Sequence, residues 1–229
     1  MTHLFRDRRH AGRQLAKALK RYAGRSDVVV LGLARGGVPV AYEVARALRA
    51  PLDVFSVRKL RAPGYPELAL GAIAANGVRF INWDIVTSLA LDDAALESIV
   101  GREAAELSRN ESAYRPFERR QPLNNRIVLL IDDGLATGSS MSAAIEAVRE
   151  ELPSRVVVGV PVAPPARCSA LRKLADDVIC AQTPERFYSV GTWYDDFTQT
   201  SDQEVREILE EASSDRSRWH LGTVSGPRV

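Results

Sequence analysis

The sequence predicts an α/β fold: a mostly parallel, twisted sheet with helices on both faces, to which a small hood and a β-hairpin or flexible lid are added. Three observations predict it: short unbroken apolar runs, helical periodicity between these runs, and a length of 229 residues that suits one large domain or two small ones. Apolar runs without alternation are typical of strands buried on both faces, as in a parallel sheet. Helices between such strands imply right-handed crossovers, and ligands then gather at the carboxyl ends of the strands.

The N-terminal half alternates between the two patterns. Apolar residues at helical spacing predict a helix over residues 8–23, and an apolar run predicts a strand over residues 27–33. The dipeptide Asn76-Gly77 suits a hairpin turn, and the charges and prolines of residues 58–67 predict a mobile loop. The other elements expected in this half are a helix that begins near Pro39, a strand at 52–57, hairpin strands at 69–75 and 78–82, and a long helix that Asp92 or Asp93 caps and that ends at about Tyr114.

The C-terminal half continues the alternation. Its predicted elements are strands at residues 127–131, 156–162 and 178–181 and helices at residues 138–151 and 166–174. We therefore expect a single domain over residues 1–212, with a core at about 25–182 and a hood at 183–212 to which the N-terminus can contribute. The remaining residues, 213–229, are expected to form a flexible tail.

The composition excludes several classes of protein. With 45% hydrophobic and 26% charged residues, the chain is an ordinary globular protein and not a disordered, collagenous or coiled-coil one. The net charge is only +2, yet residues 6–25 sum to +7 and residues 195–215 sum to −7. We interpret these two segments as solvated helix faces that lie near each other, with a nucleic-acid contact as the less favoured alternative.

Cys168 and Cys180 fit neither a disulfide framework nor a zinc site, so a reducing compartment is expected. The basic N-terminus has no apolar run of signal-peptide length. No window approaches the roughly 18 to 20 uncharged residues that span a bilayer. We therefore expect a cytoplasmic protein with no membrane partner.

The most informative segment covers residues 128–141. A buried apolar strand ends in two adjacent acids, Asp132 and Asp133, and a loop of small and hydroxyl residues then opens a helix. Backbone N–H groups at such a helix start suit a phosphate monoester, and the hydroxyl groups of the loop add further donors. The residues of this phosphate loop are Ala136, Thr137, Gly138, Ser139 and Ser140.

The two acids restrict the ligand further. An isolated phosphate would be repelled by Asp132 and Asp133, so the ligand should also present sugar hydroxyls and a divalent cation, as a phosphorylated ribose does. The alternative is a turn at residues 133–134 followed by an ordinary helix cap. A cap needs one polar residue, whereas two acids and three hydroxyls stand here within nine positions.

Residues 128–141 resemble the signature of the type I phosphoribosyltransferase family, which consists of four apolar residues, two acids and a Thr-Gly phosphate loop. The resemblance implies that Asp132 and Asp133 are catalytic residues that hold the ribose hydroxyls of phosphoribosyl pyrophosphate (PRPP). It also implies that the phosphate loop binds the 5-phosphate. The expected cofactor is Mg²⁺, which the two acids would contact indirectly, mostly through ribose hydroxyls and water.

The same resemblance extends to the residues that follow the first two strands. The loop at residues 34–37 stands where the family has its pyrophosphate loop, and its glycines let the main chain approach a diphosphate. Residues 58–67 are similar in position to the family's flexible lid. Arg35 and Lys59 are the expected catalytic cations, whereas Arg61 could equally stay in water. The resemblance implies that the pyrophosphate-binding residues are Ala34, Arg35, Gly36, Gly37, Arg58 and Lys59.

Residues 187–197 resemble the base-binding hood of the purine members of the family. The implied base-binding residues are Tyr188, which would stack on the base, Trp193, and Asp195, which would accept a hydrogen bond from it. The alternative is that these aromatic residues form core under a loop. Two departures from the oxopurine members are Ala136, which replaces an aspartate, and the absence of a lysine from residues 163–166.

We therefore predict a Mg²⁺-dependent phosphoribosyltransferase of purine salvage that acts on PRPP and a nitrogenous, purine-like base, and we expect it to be a homodimer. One alternative is a protein that binds PRPP or a nucleotide in regulation or nucleic-acid uptake with little turnover, for which the basic residues 6–25 are the best support. A third possibility is an enzyme whose acceptor is not a base. The sequence leaves the identity of the acceptor open.

Overall fold

The computed structural model describes residues 4–74, 77–114 and 121–222. The strands are β1 (Val28–Leu33), β2 (Leu52–Phe55), β3 (Val57–Ala62), β4 (Tyr65–Ala74), β5 (Arg79–Ile81), β6 (Ile127–Ile131), β7 (Arg155–Val162) and β8 (Asp177–Gln182). The helices are α1 (Arg8–Ala18), α2 (Gly37–Leu48), α3 (Trp83–Ser88), α4 (Asp93–Tyr114), α5 (Ser139–Arg149), α6 (Pro165–Leu171) and α7 (Asp202–Gly222). Short 3₁₀ helices cover Lys20–Tyr22 and Gly191–Trp193.

Five parallel strands form the central sheet in the order β2-β1-β6-β7-β8. β1 and β6 are neighbours, with Val30 beside Leu129, although a long stretch of chain separates them. From β1 the chain moves outward to β2, whereas from β6 it moves outward in the opposite direction to β7 and β8. The strand order therefore reverses between β1 and β6, and a crevice opens at their carboxyl ends.

Helices cover both faces of this sheet. α1 and α2 pack on one face with Leu129 and Val157, and α5 and α6 pack on the other face with Leu130 and Val158. These four strand side chains are fully buried, which explains why the strands are unbroken apolar runs in the sequence. The predicted fold class is therefore confirmed.

A second, antiparallel sheet has the order β3-β4-β5 and packs with α3 and α4. The prediction of a mobile loop at residues 58–67 is wrong, because β3 and β4 cover this segment except for the turn at residues 63–64. Leu60 and Leu70 are fully buried in the cluster that this sheet forms with α4. That burial stabilises the strands, while the proline and glycine signals of the sequence are confined to the turn and the strand end next to it.

The hairpin predicted at residues 69–75 and 78–82 is confirmed as the antiparallel pair β4 and β5. Gly77 has a φ of 81°, which glycine adopts without steric cost, and Asn76 lies outside the described residues. The predicted strand at residues 52–57 is divided, since β2 ends at Phe55 and β3 begins at Val57. The short helix α3 was not predicted.

The long helix α4 begins as expected, with the Asp92 carboxylate accepting a hydrogen bond of 2.7 Å from the Ala95 N–H. The other predicted helices and strands lie within a few residues of their expected bounds. No helix in residues 4–74, 77–114 and 121–222 has an apolar stretch long enough to cross a membrane.

The helix α7 contradicts the expected tail, because it continues from Asp202 to Gly222 and so covers the first ten residues of segment 213–229. Val205 and Ile208 are buried against Tyr42. The Tyr42 hydroxyl also donates a hydrogen bond of 3.0 Å to Asp215, about two turns further along the helix than Ile208. This polar contact was not apparent from hydrophobic periodicity. Residues 223–229 lie outside the described residues.

The two cysteines also differ from the expectation, since Cys168 of α6 and Cys180 of β8 form a disulfide. The connection from β7 through α6 back to β8 brings them together across twelve positions of sequence. The view that they are isolated is therefore wrong, and cysteine usage gives no support to a reducing compartment.

The packing of α7 predicts that Ile208→Ala lowers the free energy of unfolding by about 2 to 5 kcal/mol, because Ile208 is fully buried between α7 and α2. Leu152→Ala is the matched control, since Leu152 is 68% exposed and its truncation should change stability by less than about 0.5 kcal/mol. Urea denaturation measures both. Equal stability of the two variants would mean that α7 does not dock as described.

Candidate active site

Two loops meet where the strand order reverses. Residues 34–37 follow β1 and residues 132–138 follow β6, and the Ala34–Arg35 peptide bond is cis. A Cβ atom at Gly37 would lie 2.6 Å from the Ile131 carbonyl oxygen, and one at Gly36 would overlap the carboxylate of Asp133. Only glycine at these two positions therefore lets the loops approach this closely.

The acids at the end of β6 have different partners. The Asp132 Oδ1 atom accepts a hydrogen bond of 2.9 Å from the Asp133 N–H. The Asp133 Oδ2 atom accepts a hydrogen bond of 2.8 Å from Arg8 Nε. Burial raises the pKa of Asp132, and the neighbouring charge of Asp133 raises it further. Burial also raises the pKa of Asp133, although the Arg8 guanidinium opposes the effect.

The phosphate loop leads directly into α5. The hydroxyls of Thr137 and Ser139 lie 3.1 Å apart, and both side chains are exposed. Gly138 has a φ of 79° and is the N-cap residue of α5, so it supplies no side chain to cap the helix. The first N–H groups of α5, together with two exposed hydroxyls, form a cluster of hydrogen-bond donors that suits an anion.

The second sheet brings basic residues to this loop. Lys59 and Arg61 of β3 and Ser140 of α5 line one cavity of about 530 Å³. Arg58 also lines it, but its Nε atom donates a hydrogen bond of 2.7 Å to Glu103 of α4. Among the predicted site residues, Arg58, Lys59 and Ser140 therefore line one cavity.

Arg35 is directed elsewhere. Its Nη1 atom lies 3.5 Å from a carboxylate oxygen of Asp202, at the start of α7, and the same oxygen accepts a hydrogen bond of 2.9 Å from the Tyr114 hydroxyl. The Arg35 guanidinium is thus held toward α4 and α7, while its backbone stays in the loop after β1.

The hood packs on the loop that follows β6. Tyr194 is buried, and its hydroxyl donates a hydrogen bond of 2.6 Å to the Asp133 carbonyl oxygen. Trp193 is half-buried and stacks on Phe187, with ring centroids 6.2 Å apart. Of the three predicted base-binding residues, Tyr188 is 78% exposed, Asp195 is exposed and Trp193 is partly covered.

The residue of the candidate site that sequence reasoning missed is Arg8, the first residue of α1. Besides Asp133, it binds the Thr198 carbonyl oxygen at 2.6 Å, and its guanidinium lies 3.9 Å from the ring centre of Phe197. The only sequence signal was the basic run at residues 6–25, which does not distinguish Arg8 from its neighbours.

The basic and acidic segments do lie together. Arg9 of α1 pairs with Glu211 of α7 at 3.2 Å. Other arginines of residues 6–25 also pair with carboxylates, namely Arg8, Arg13, Arg21 and Arg25. Most of this basic surface is therefore neutralised within the chain.

The loop contact makes a stability prediction. Gly37→Ala should lower the free energy of unfolding by about 1 to 3 kcal/mol, because the added methyl group has no space beside Ile131. Gly101→Ala is the matched change, since Gly101 lies within α4 with open space around it and should gain about 0.5 to 1 kcal/mol. Denaturant titration of both variants measures the difference. A neutral Gly37→Ala would contradict the close approach of the loops.

The raised pKa of Asp132 predicts a pH-dependent effect of Asp132→Asn. Between the unfolded pKa of about 3.9 and the raised folded pKa, the folded chain holds the proton, so wild-type stability is lost as pH rises through that window. At about pH 7 the variant should therefore be more stable than wild type, because asparagine carries no charge that folding must bury.

The advantage of Asp132→Asn should disappear below about pH 4, where the wild-type carboxyl is protonated in both states. Asp84→Asn, an exposed acid on α3, is the control and should be nearly neutral at both pH values. Denaturant titration at the two pH values measures the stability of wild type and of both variants. A variant less stable than wild type at neutral pH would refute the assigned direction.

Comparison with known proteins agrees with this geometry. The family model described as a phosphoribosyl transferase domain matches residues 6–196. Two curated relatives from Mycobacterium tuberculosis, strains CDC 1551 and H37Rv, are provisionally named phosphoribosyl transferases and are 47% identical over 212 residues, or 93% of this chain and 48% of the relatives. The chain thus spans about half the length of these relatives.

The crystal structure of the protein TT1426 from Thermus thermophilus is 44% identical to this chain and superposes with a TM-score of 0.79. The match covers 90% of this chain and 98% of that one. Family model, curated relatives and fold agree with the signature after β6, and the chain belongs to the type I phosphoribosyltransferase family.

Proposed function

We propose that the chain is a phosphoribosyltransferase that moves the 5-phosphoribosyl group of PRPP to a nitrogenous base and releases pyrophosphate, with Mg²⁺ and a purine-like acceptor. The observation that carries this proposal is the meeting of two loops at the reversal of strand order. One loop begins with paired acids and leads into α5, and the other has two glycines packed against those acids. Acids, backbone donors and an open crevice suit a phosphorylated sugar.

The 5-phosphate would bind at the start of α5. The N–H groups of Gly138 and Ser140 and the hydroxyls of Thr137 and Ser139 are donors there, while the Ser139 N–H donates to Thr137 Oγ1 at 3.4 Å. Asp132 and Asp133 would accept hydrogen bonds from the ribose hydroxyls. This division fits the geometry, because the carboxylates lie at the end of β6 and the donors lie beyond the loop.

Catalysis would be electrostatic. Departure of pyrophosphate leaves an oxocarbenium-like centre on the ribose, so the site must stabilise negative charge on the leaving group and exclude water. Lys59, which lines the same cavity as Ser140, is available to the anionic ligand, and the loop at residues 34–37 offers main-chain groups. The arrangement requires no covalent nucleophile, and the two cysteines are joined to each other.

Mg²⁺ fits the donor set in one way. No cluster of three or more acids, histidines or cysteines occurs within the described part of the chain, so a site made wholly by the protein is not formed there. Mg²⁺ usually keeps several waters and is bound by one or two carboxylates together with substrate phosphates. Asp132 and Asp133 would therefore hold the ion through ribose hydroxyls and water, and the ion would neutralise the diphosphate.

The acceptor would enter under the hood. Tyr188 offers an exposed aromatic face for stacking on a base, and Asp195 offers an exposed hydrogen-bond acceptor. Trp193 already stacks on Phe187, which favours a role for Trp193 in holding the hood. Both exposed residues belong to the segment that packs on Asp133 through Tyr194, so the acceptor would lie close to the ribose.

The test is pyrophosphate release from PRPP and Mg²⁺ in the presence of individual purine and pyrimidine bases. We expect release with one purine-like base. Thr137→Ala and Asp133→Asn should each lower kcat/KM by about tenfold or more, because each change removes a hydrogen bond to a charged or reacting group. Thr87→Ala, which removes an exposed hydroxyl on α3, should leave kcat/KM unchanged.

Two results would contradict the proposal. Unchanged kinetics in both site variants would place the reaction elsewhere. Absence of release with every base, combined with tight PRPP binding, would favour a binding protein in regulation or nucleic-acid uptake. In that case any nucleic-acid affinity must fall steeply with salt, because phosphate contacts release counterions.

A further inference from the structure

Arg8 lies inside the candidate active site although it belongs to an N-terminal helix outside every recognised motif. Its side chain is only 11% exposed, and the carboxylate of Asp133 that it binds is 14% exposed. Its guanidinium also binds the Thr198 carbonyl oxygen and stacks over Phe197. Three contacts therefore hold one charged group in a single orientation.

The other charges of the site show why the position of Arg8 matters. Asp132 and Asp133 bring two carboxylates to the place where an anionic ligand would bind. Arg35, a predicted catalytic cation, is directed to Asp202. Arg58 is paired with Glu103. Arg8 is therefore the guanidinium that the described part of the chain places directly on the acids.

Arg8 also adjoins the other loop. A Cβ atom built on Gly36 would lie 3.3 Å from Arg8 Nε, so the guanidinium reaches the point where residues 34–37 meet Asp133. A ligand whose ribose lay on Asp133 and whose diphosphate lay on residues 34–37 would pass next to Arg8.

Donors remain available on this guanidinium. Its Nε and Nη1 atoms are used by Asp133 and Thr198, while Nη2 has no hydrogen bond to the described residues. The side chain can thus keep its contact with Asp133 and still donate to a ligand oxygen.

We propose that Arg8 is a ligand-binding residue that donates hydrogen bonds to the diphosphate of PRPP while its Nε atom stays bonded to Asp133. The inference rests on the proposed function, since it presumes PRPP as the ligand. It adds to that function a cation from α1. This cation lies outside the motifs that follow β1 and β6.

The test compares three ligands by isothermal titration calorimetry with Mg²⁺ present: PRPP, inorganic pyrophosphate and ribose 5-phosphate. Arg8→Gln should weaken binding of PRPP and pyrophosphate by about 10- to 100-fold, the range expected for hydrogen bonds to a charged group. Binding of ribose 5-phosphate should change by less than about threefold. A role limited to orienting Asp133 would instead weaken PRPP and ribose 5-phosphate equally, and that result would overturn the proposal, as would unchanged binding of all three.

Arg13→Gln is the matched control, because Arg13 lies on the same helix and pairs with Glu43 away from the acids. It should leave all three affinities unchanged. Arg8→Lys keeps the positive charge but loses the planar guanidinium group. We therefore expect it to bind pyrophosphate more tightly than Arg8→Gln and less tightly than wild type. If Arg8→Gln does not fold, Arg8→Lys alone decides: a selective loss on the two diphosphate ligands supports the proposal, and an equal loss or none overturns it.

The two hypotheses fail in different ways. Wild-type protein that binds neither PRPP nor pyrophosphate would refute the proposed function, whatever Arg8 does. Wild-type protein that binds both, together with an Arg8→Gln variant that binds them equally well, would refute the role of Arg8 and leave the proposed function standing.

Discussion

The close approach of the loops after β1 and β6 is the constraint on which the site depends. Neighbouring parallel strands bring the two carboxyl ends together, but loops with ordinary side chains could not touch there. Gly36 and Gly37 remove those side chains, and the start of α2 then packs against Ile131 and the acids. The fold and the site therefore share one requirement: a main chain that can lie directly against the end of β6.

Electrostatics links the N-terminus to this constraint. Burial raises the pKa of both acids, the charge of Asp133 raises that of Asp132 further, and Arg8 counters the effect of burial on the pKa of Asp133. The same guanidinium holds Thr198 in the hood, and the backbone of Phe5 pairs with the hood next to Tyr194. Helix α1 thus does more than present a solvated basic face, because its first turn joins the acids to the hood.

The second sheet contains the segment that the sequence predicted as a flexible lid. Residues 58–67 are mostly strand, and the buried side chains of Leu60 and Leu70 tie this sheet to α4. Lys59 is therefore held on a regular strand and lines the same cavity as Ser140 at the start of α5. In the proposed function, a cation carried by a strand would reach a bound anion without first ordering a loop, which would lower the entropy cost of binding.

The sequence by itself determined the parallel sheet, the phosphate loop and the paired acids, because apolar runs and the segment after β6 are local patterns. Local patterns could not show that Arg8 reaches Asp133, that Arg35 turns to Asp202, or that Cys168 meets Cys180. They also predicted a mobile loop where β3 lies and a flexible tail where the last ten residues of α7 lie. Each of these features depends on partners that are distant in sequence or on burial against another element, and only the tertiary structure brings such partners together.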